Sequence, residues 1–208
     1  QDRGAVEDLK RHRLRIKVPH GHLETVVEEP PDAPRGLALI AHPHPLKGGS
    51  LDNKVAWTLA RAALACGLVA VRPNFRGVGE SSGAFDHGIG ETEDLLALAA
   101  AISAHYGALP WTLLGFSFGA YVQHRVAREL HAQQLILVGP AVSMYAFEAA
   151  AIPTTILHGT EDEVIPFAAA RAYAQQHGLP LIEIVGAGHF FHGRLRELQD
   201  KVAGLIAP

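Results

Sequence analysis

The sequence predicts an α/β protein: a mostly parallel central sheet with helices on both faces, opened by an antiparallel hairpin. Three observations predict it. From residue 36 onward, short continuous apolar runs recur, as expected for strands buried on both faces. Between them lie longer stretches with helical spacing, so strand and helix alternate in the manner of a parallel sheet with crossover helices. At the start, Arg13-Leu14-Arg15-Ile16-Lys17-Val18 alternates charged and apolar residues strictly, the two-residue period of a half-buried strand. No repeat, low-complexity tract or composition break divides the chain, so residues 1–208 are expected to form one domain.

The elements follow in order. Strand 13–18 turns at Pro19, His20 and Gly21 into strand 23–28. The basic side chains of the first strand read as a solvated face that keeps a sheet edge from pairing with other chains. Strand 36–41 ends in His42-Pro43-His44-Pro45, and helix 53–65 stops at Gly67. Strand 68–71 is stopped by Pro73, and helix 91–105 is rich in alanine and leucine. Strand 111–116 runs straight into helix 118–130. Strands 135–138 and 154–158, helix 166–177, strand 181–185 and a last helix from about residue 191 complete the chain. The connection 139–153 has room for one short helix, 143–150, and for nothing larger.

Composition narrows the function. Apolar residues make up 48% and charged residues 19% of 208, as in an ordinary globular protein. A net charge of -3 argues against nucleic acid as a partner, which would require a basic face. No apolar run approaches the roughly 20 residues of a membrane span. One cysteine, Cys66, suits a reducing compartment, and with no signal peptide in view a cytoplasmic setting is expected, although the chain begins at Gln1 rather than Met. A monomer or homodimer is expected.

The chemistry concentrates in three loops. In Gly115-Phe116-Ser117-Phe118-Gly119, glycines flank a serine at a strand-to-helix junction. A sharp turn there raises the hydroxyl toward substrate, and the helix N-terminus favours developing negative charge. Serine needs a base to take its proton. Among 13 histidines His189 stands out, because Gly186-Ala187-Gly188-His189 leaves the last strand as a loose loop; His192 is its nearest competitor. The imidazole needs an acid to orient it. Asp162, in the loop after strand 154–158, fills that position, with Glu161 and Glu163 beside it as solvated charges. Serine, acid, histidine is also the chain order that the α/β-hydrolase arrangement uses.

On these residues the chain resembles the α/β-hydrolases over nearly its whole length. It is similar, more narrowly, to small bacterial members predicted to be serine hydrolases without a cap domain. That match lies in His42-Pro43-His44-Pro45-Leu46-Lys47-Gly48-Gly49-Ser50 and Asn53-Lys54-Val55. Asn74-Phe75-Arg76-Gly77-Val78-Gly79-Glu80-Ser81 resembles the superfamily's Arg-Gly-x-Gly-x-Ser loop, with Asn74 where aspartate is frequent. The stretch from His158-Gly159 through Asp162 to Pro166 matches the acid loop, and Gly188-His189 the histidine loop.

An oxyanion hole requires two backbone donors. Phe118, just after the serine, is one; Pro43 and Pro45 have no N–H, which leaves His44 or Leu46 for the other. His42 and His44 lack a third ligand at metal spacing and read as loop supports, so no metal and no cofactor are expected. Gly77-Val78-Gly79-Glu80-Ser81-Ser82-Gly83 misses the last glycine of a dinucleotide fingerprint, and Cys66 reads as a small core residue. With no room for a lid, the site should be open, with Phe116, Phe118, Met144, Tyr145 and Phe190 as candidates for an apolar wall. The expected activity is that of a carboxylesterase-like serine hydrolase acting on a small-molecule ester with a small or accessible acyl group. Thioesterase, peptidase and acyltransferase chemistry use the same residues, and a non-catalytic binding protein is the rival from another class.

Overall fold

Successive side chains of a strand leave a sheet on opposite faces, and the central strands here feed two separate cores. In the computed structural model, which describes residues 10–208, β3 (Gly36–Ala41) sends Leu37, Leu39 and Ala41 into one core and Ala38 and Ile40 into the other. The other strands are β1 (Arg11–Val18), β2 (Gly21–Glu28), β4 (Leu68–Pro73), β5 (Trp111–Phe116), β6 (Gln134–Val138), β7 (Thr154–Gly159) and β8 (Leu181–Ile184). The five α-helices are α1 (Lys54–Ala65), α2 (Ile89–Tyr106), α3 (Phe118–Val126), α4 (Phe167–His177) and α5 (Leu195–Leu205). Residues of α2, α3 and α4 pack in the first core, and those of α1 and α5 in the second. The result is a three-layer α/β/α sandwich.

The sheet order is β1-β2-β4-β3-β5-β6-β7-β8. β1 and β2 form the antiparallel hairpin, β2 runs antiparallel to β4, and every later pairing is parallel. From β3 the chain first builds toward β4, then returns to start β5 on the other side. That reversal is a topological switch point, where loops leaving adjacent strand ends diverge and open a crevice. Ala41 lies beside Gly115 and Phe116 beside Val138, so the ends of β3, β5 and β6 meet at one edge of the sheet.

Four local expectations change. Segment 143–150 is not a helix: 142–144 turn, 145 bends and 146–150 have no regular secondary structure. Its backbone is bonded by side chains instead, since the Glu148 N–H donates to His124 Nε2 (3.0 Å) and Tyr173 donates to the Glu148 carbonyl (2.7 Å). The last helix begins at Leu195 rather than near 191, because Phe191 is buried with φ 55° and Gly193 has φ 73°, both incompatible with a helix. α3 ends at Val126 rather than 130, followed by turns. Leu14, expected to face inward, is exposed, while Val18 further along the same strand is buried. The basic side chains of β1 are exposed as expected, and two of them also pair, Arg13 with Glu24 (2.7 Å) and Arg15 with Glu80 (3.3 Å).

Candidate active site

Ser117 occupies the junction of β5 and α3 with φ 58° and ψ -113°, a conformation L-residues rarely adopt. The flanking glycines explain how the turn fits. A Cβ on Gly115 would lie 2.4 Å from the Gly119 carbonyl oxygen, and one on Gly119 would lie 2.2 Å from that of Ala41. The Ser117 N–H donates to the Val138 carbonyl (3.0 Å), which ties the turn to the neighbouring strand.

The three predicted residues come together. His189 Nδ1 stands 2.7 Å from Asp162 Oδ2, and His189 Nε2 stands 3.1 Å from Ser117 Oγ. An N–H on Nδ1 donating to the carboxylate leaves Nε2 free to accept from the serine hydroxyl. All three are buried, which strengthens each interaction by lowering the local dielectric. The ring of His189 lies over Phe116 at 4.9 Å and meets the edge of Phe190 at 5.0 Å, so packing fixes its plane. His192 is exposed on the surface beyond Phe190.

Asp162 accepts on every side. Oδ1 takes the N–H groups of Val164 (2.8 Å) and Ile165 (2.7 Å), while Oδ2 faces His189 and, at 3.2 Å, Nε2 of the buried His158. Burial alone would raise the carboxyl's pKa, but the hydrogen bonds from His158, His189 and Ile165 outweigh it and hold Asp162 well below the usual carboxylate range. His158 also donates from Nε2 to the Ile165 carbonyl (2.8 Å), closing the acid loop on itself. Glu163, expected to be a free surface charge, accepts the His189 backbone N–H (3.2 Å) and so braces the histidine loop. Neither contact has a sequence signal beyond proximity to Asp162.

The opposite wall is the loop after β3. His42 is buried and uses both ring nitrogens: Nδ1 donates to the Pro43 carbonyl (2.7 Å), and Nε2 accepts from the Phe75 N–H (3.0 Å). It supports the loop and has no lone pair left for a metal. Asn74 accepts the Leu51 N–H (2.8 Å) and donates to Glu24 (2.7 Å), which joins this loop to the hairpin. Of the two candidate oxyanion amides, Leu46 N–H is taken by Nδ1 of its neighbour His44 (3.1 Å). The N–H groups of His44 and Phe118 have no acceptor among the described residues.

Burial pushes His42 from its ordinary value of 6.5 down to about 4. His124, on α3, is also lowered to about 4, by burial and then by the charges of Arg128, His177 and Arg125. Both stay neutral in the fold where they would charge in the unfolded chain. Their stabilisation is therefore whole above pH 6.5 and is lost as pH falls toward 4. Denaturant unfolding is expected to show about 2 kcal/mol lost per histidine between pH 7 and pH 5. In His124→Gln the loss should shrink by roughly half; a stability independent of pH across this range would contradict the assignment.

Between these walls lies a cavity of about 420 Å³ onto which Ser117 and His189 open. Met144, Tyr145 and Phe190 line it as expected, joined by Val164. Phe116 and Phe118 do not; both are core residues, Phe116 beneath His189 and Phe118 edge-on to Phe75 at 5.4 Å. The error has a simple cause: both flank Ser117 in sequence, but the sharp turn that lifts the serine sends its neighbours inward. Among the described residues no inserted lid covers the cavity, since 139–153 holds only turns, bends and irregular chain. Among the described residues no helix is long and apolar enough to cross a membrane.

No protein-family model matches the chain. Among curated proteins, the uncharacterized protein RP471 of Rickettsia prowazekii (strain Madrid E) is 34% identical over 187 residues, covering 83% of this chain and 78% of that protein. Among solved structures, an α/β serine hydrolase homologue from Coxiella burnetii is 41% identical with a TM-score of 0.90, covering 94% of this chain and 97% of its own. XC6422 from Xanthomonas campestris, described as an α/β serine hydrolase without lid, is 33% identical with a TM-score of 0.91, covering 96% and 97%. With the sheet order, the uncovered serine crevice and relatives of this identity in agreement, the chain belongs to the α/β-hydrolase superfamily, among its serine hydrolases that lack a lid.

Proposed function

We propose that the protein hydrolyses carboxylic esters in two steps through an acyl-enzyme, with Ser117 as nucleophile, His189 as base and Asp162 as the acid that orients it. The observation that carries this reading is the unbroken line Asp162–His189–Ser117, at 2.7 and 3.1 Å, opening onto the cavity. As Oγ attacks the ester carbon, its proton passes to His189 Nε2, and the imidazolium is held against the Asp162 carboxylate. The carbonyl oxygen gains negative charge and is received by the unpartnered amides of Phe118 and His44, at the positive end of α3. His189 then returns the proton to the leaving alkoxide. A water, deprotonated by the same nitrogen, cleaves the acyl-enzyme and regenerates the serine.

Access decides which esters suit the site. A cavity of about 420 Å³ without a lid accommodates a small or protruding acyl group and offers no enclosed channel for a long chain. Turnover of p-nitrophenyl acetate, butyrate and octanoate tests this. Activity is expected to favour the two short esters, and a preference for octanoate would contradict the reading of the pocket.

A further inference from the structure

Of the residues that line the cavity, Lys47 alone carries a permanent charge. The same cavity has an apolar lining from Met144, Tyr145, Val164 and Phe190. Several arginines elsewhere are matched by carboxylates, Arg13 by Glu24, Arg61 and Arg72 by Glu28, and Arg76 by Asp94. Lys47 has no carboxylate partner among the described residues. Glu163, beside Asp162, is turned to the His189 amide and does not line the cavity.

The lysine is held on a built support. It is the last residue of a 3-10 turn, Pro45–Lys47, closed by Gly48 with φ 80°. The N–H groups of Lys47 and Gly49 both donate to the His44 carbonyl at 3.0 Å. A Cβ on Gly49 would lie 2.1 Å from the Pro43 carbonyl oxygen, so the loop is folded tightly on itself. The same short loop therefore presents the His44 amide on one side and the root of the lysine on the other. Burial, and after it the positive charge of Lys47, holds the His44 imidazole below its ordinary value. That ring lies 5.1 Å from Phe118, the first residue of the serine helix.

We infer that the substrate is an ester carrying a carboxylate or similar anionic group, which Lys47 receives while its apolar part lies on the Met144–Phe190 wall. This rests on the ester-hydrolase reading above and narrows it to a substrate class. The ammonium is exposed, so its contribution is screened by salt. It also raises the local concentration of anions before they bind.

Two matched pairs of esters test it. Monomethyl adipate against methyl heptanoate places the charge on the acyl side, and 4-acetoxybenzoate against its methyl ester places it on the leaving group. The readout is the ratio of kcat/KM for the anionic and neutral member of each pair, in the native protein and in Lys47→Gln, Lys47→Arg and Lys47→Glu. In at least one pair the native ratio should fall about two- to fivefold in Lys47→Gln, recover in Lys47→Arg and fall further in Lys47→Glu. Raising the ionic strength to about 0.5 M should shrink the native preference. A native protein that shows no anionic preference, or one that survives Lys47→Gln, overturns the assignment. Reaction with a fluorophosphonate, run beside these assays, keeps the two readings apart. A protein that neither reacts nor hydrolyses any of the four esters defeats the ester-hydrolase reading itself. A reactive protein that hydrolyses only the neutral members, or none, defeats the assignment of Lys47.

Discussion

Replacing Ser117 by alanine is expected to lower ester turnover about a million-fold while the fold persists. The Ser117 side chain makes one hydrogen bond, to His189 Nε2, and the backbone bond to Val138 does not depend on it. Alanine bears the same Cβ as serine, so the strain at φ 58° is unchanged. His189→Ala should cost about as much, and the double variant little more, because a nucleophile without its base is idle. The kcat/KM for p-nitrophenyl acetate measures the loss, and the midpoint of thermal unfolding reports the fold. A Ser117→Ala protein that keeps a tenth of native activity would remove serine from the mechanism.

Asp162→Asn carries the second large effect, about ten-thousand-fold in kcat. The reason lies in the company this carboxylate keeps. Oδ1 accepts from two backbone N–H groups, and Oδ2 faces His189 and His158. An asparagine can satisfy only one side, because its NH2 would face a donor whichever way the amide turned. If it turns toward His189, the imidazole must move its proton to Nε2, where it blocks acceptance from Ser117. If it turns toward Val164 and Ile165, the acid loop loses its closure. The pH dependence follows from the depressed pKa of Asp162. Its stabilising effect is present above the ordinary carboxylate value of 3.8 and disappears as pH falls through the lower folded value. The native protein should thus lose more stability than Asp162→Asn during strong acidification, as acid-unfolding curves of the two would show. Equal activity of the two proteins at neutral pH would contradict the role given to Asp162.

The sheet and the meeting of Ser117, Asp162 and His189 were legible in the sequence for physical reasons that act locally. Doubly buried strands must be continuously apolar, and 36–41, 111–116 and 135–138 form strands within those bounds. Loops that leave parallel strands must emerge at one edge, so Ser117, Asp162 and His189 had to converge once their strands were placed. What escaped depends on side chains meeting across long sequence separations. His124 and Tyr173 capture the backbone around Glu148 and displace the short helix expected at 143–150. The burial of Phe191 delays the last helix by about one turn. Glu163 and His158 lie close to Asp162 in sequence, but only the folded loop shows that one braces His189 and the other shares the Asp162 carboxylate. Sequence likewise left the amides of His44 and Leu46 equivalent, and only the fold shows that the Leu46 N–H is taken by the His44 ring.

The most direct test of the central claim is to treat the native protein with a fluorophosphonate and locate the adduct by mass spectrometry of its peptides. A Ser117 activated by His189 predicts a single phosphonyl group on the peptide that contains Ser117, with labelling nearly abolished in His189→Ala. An unlabelled native protein, or an adduct on any other residue, would contradict it.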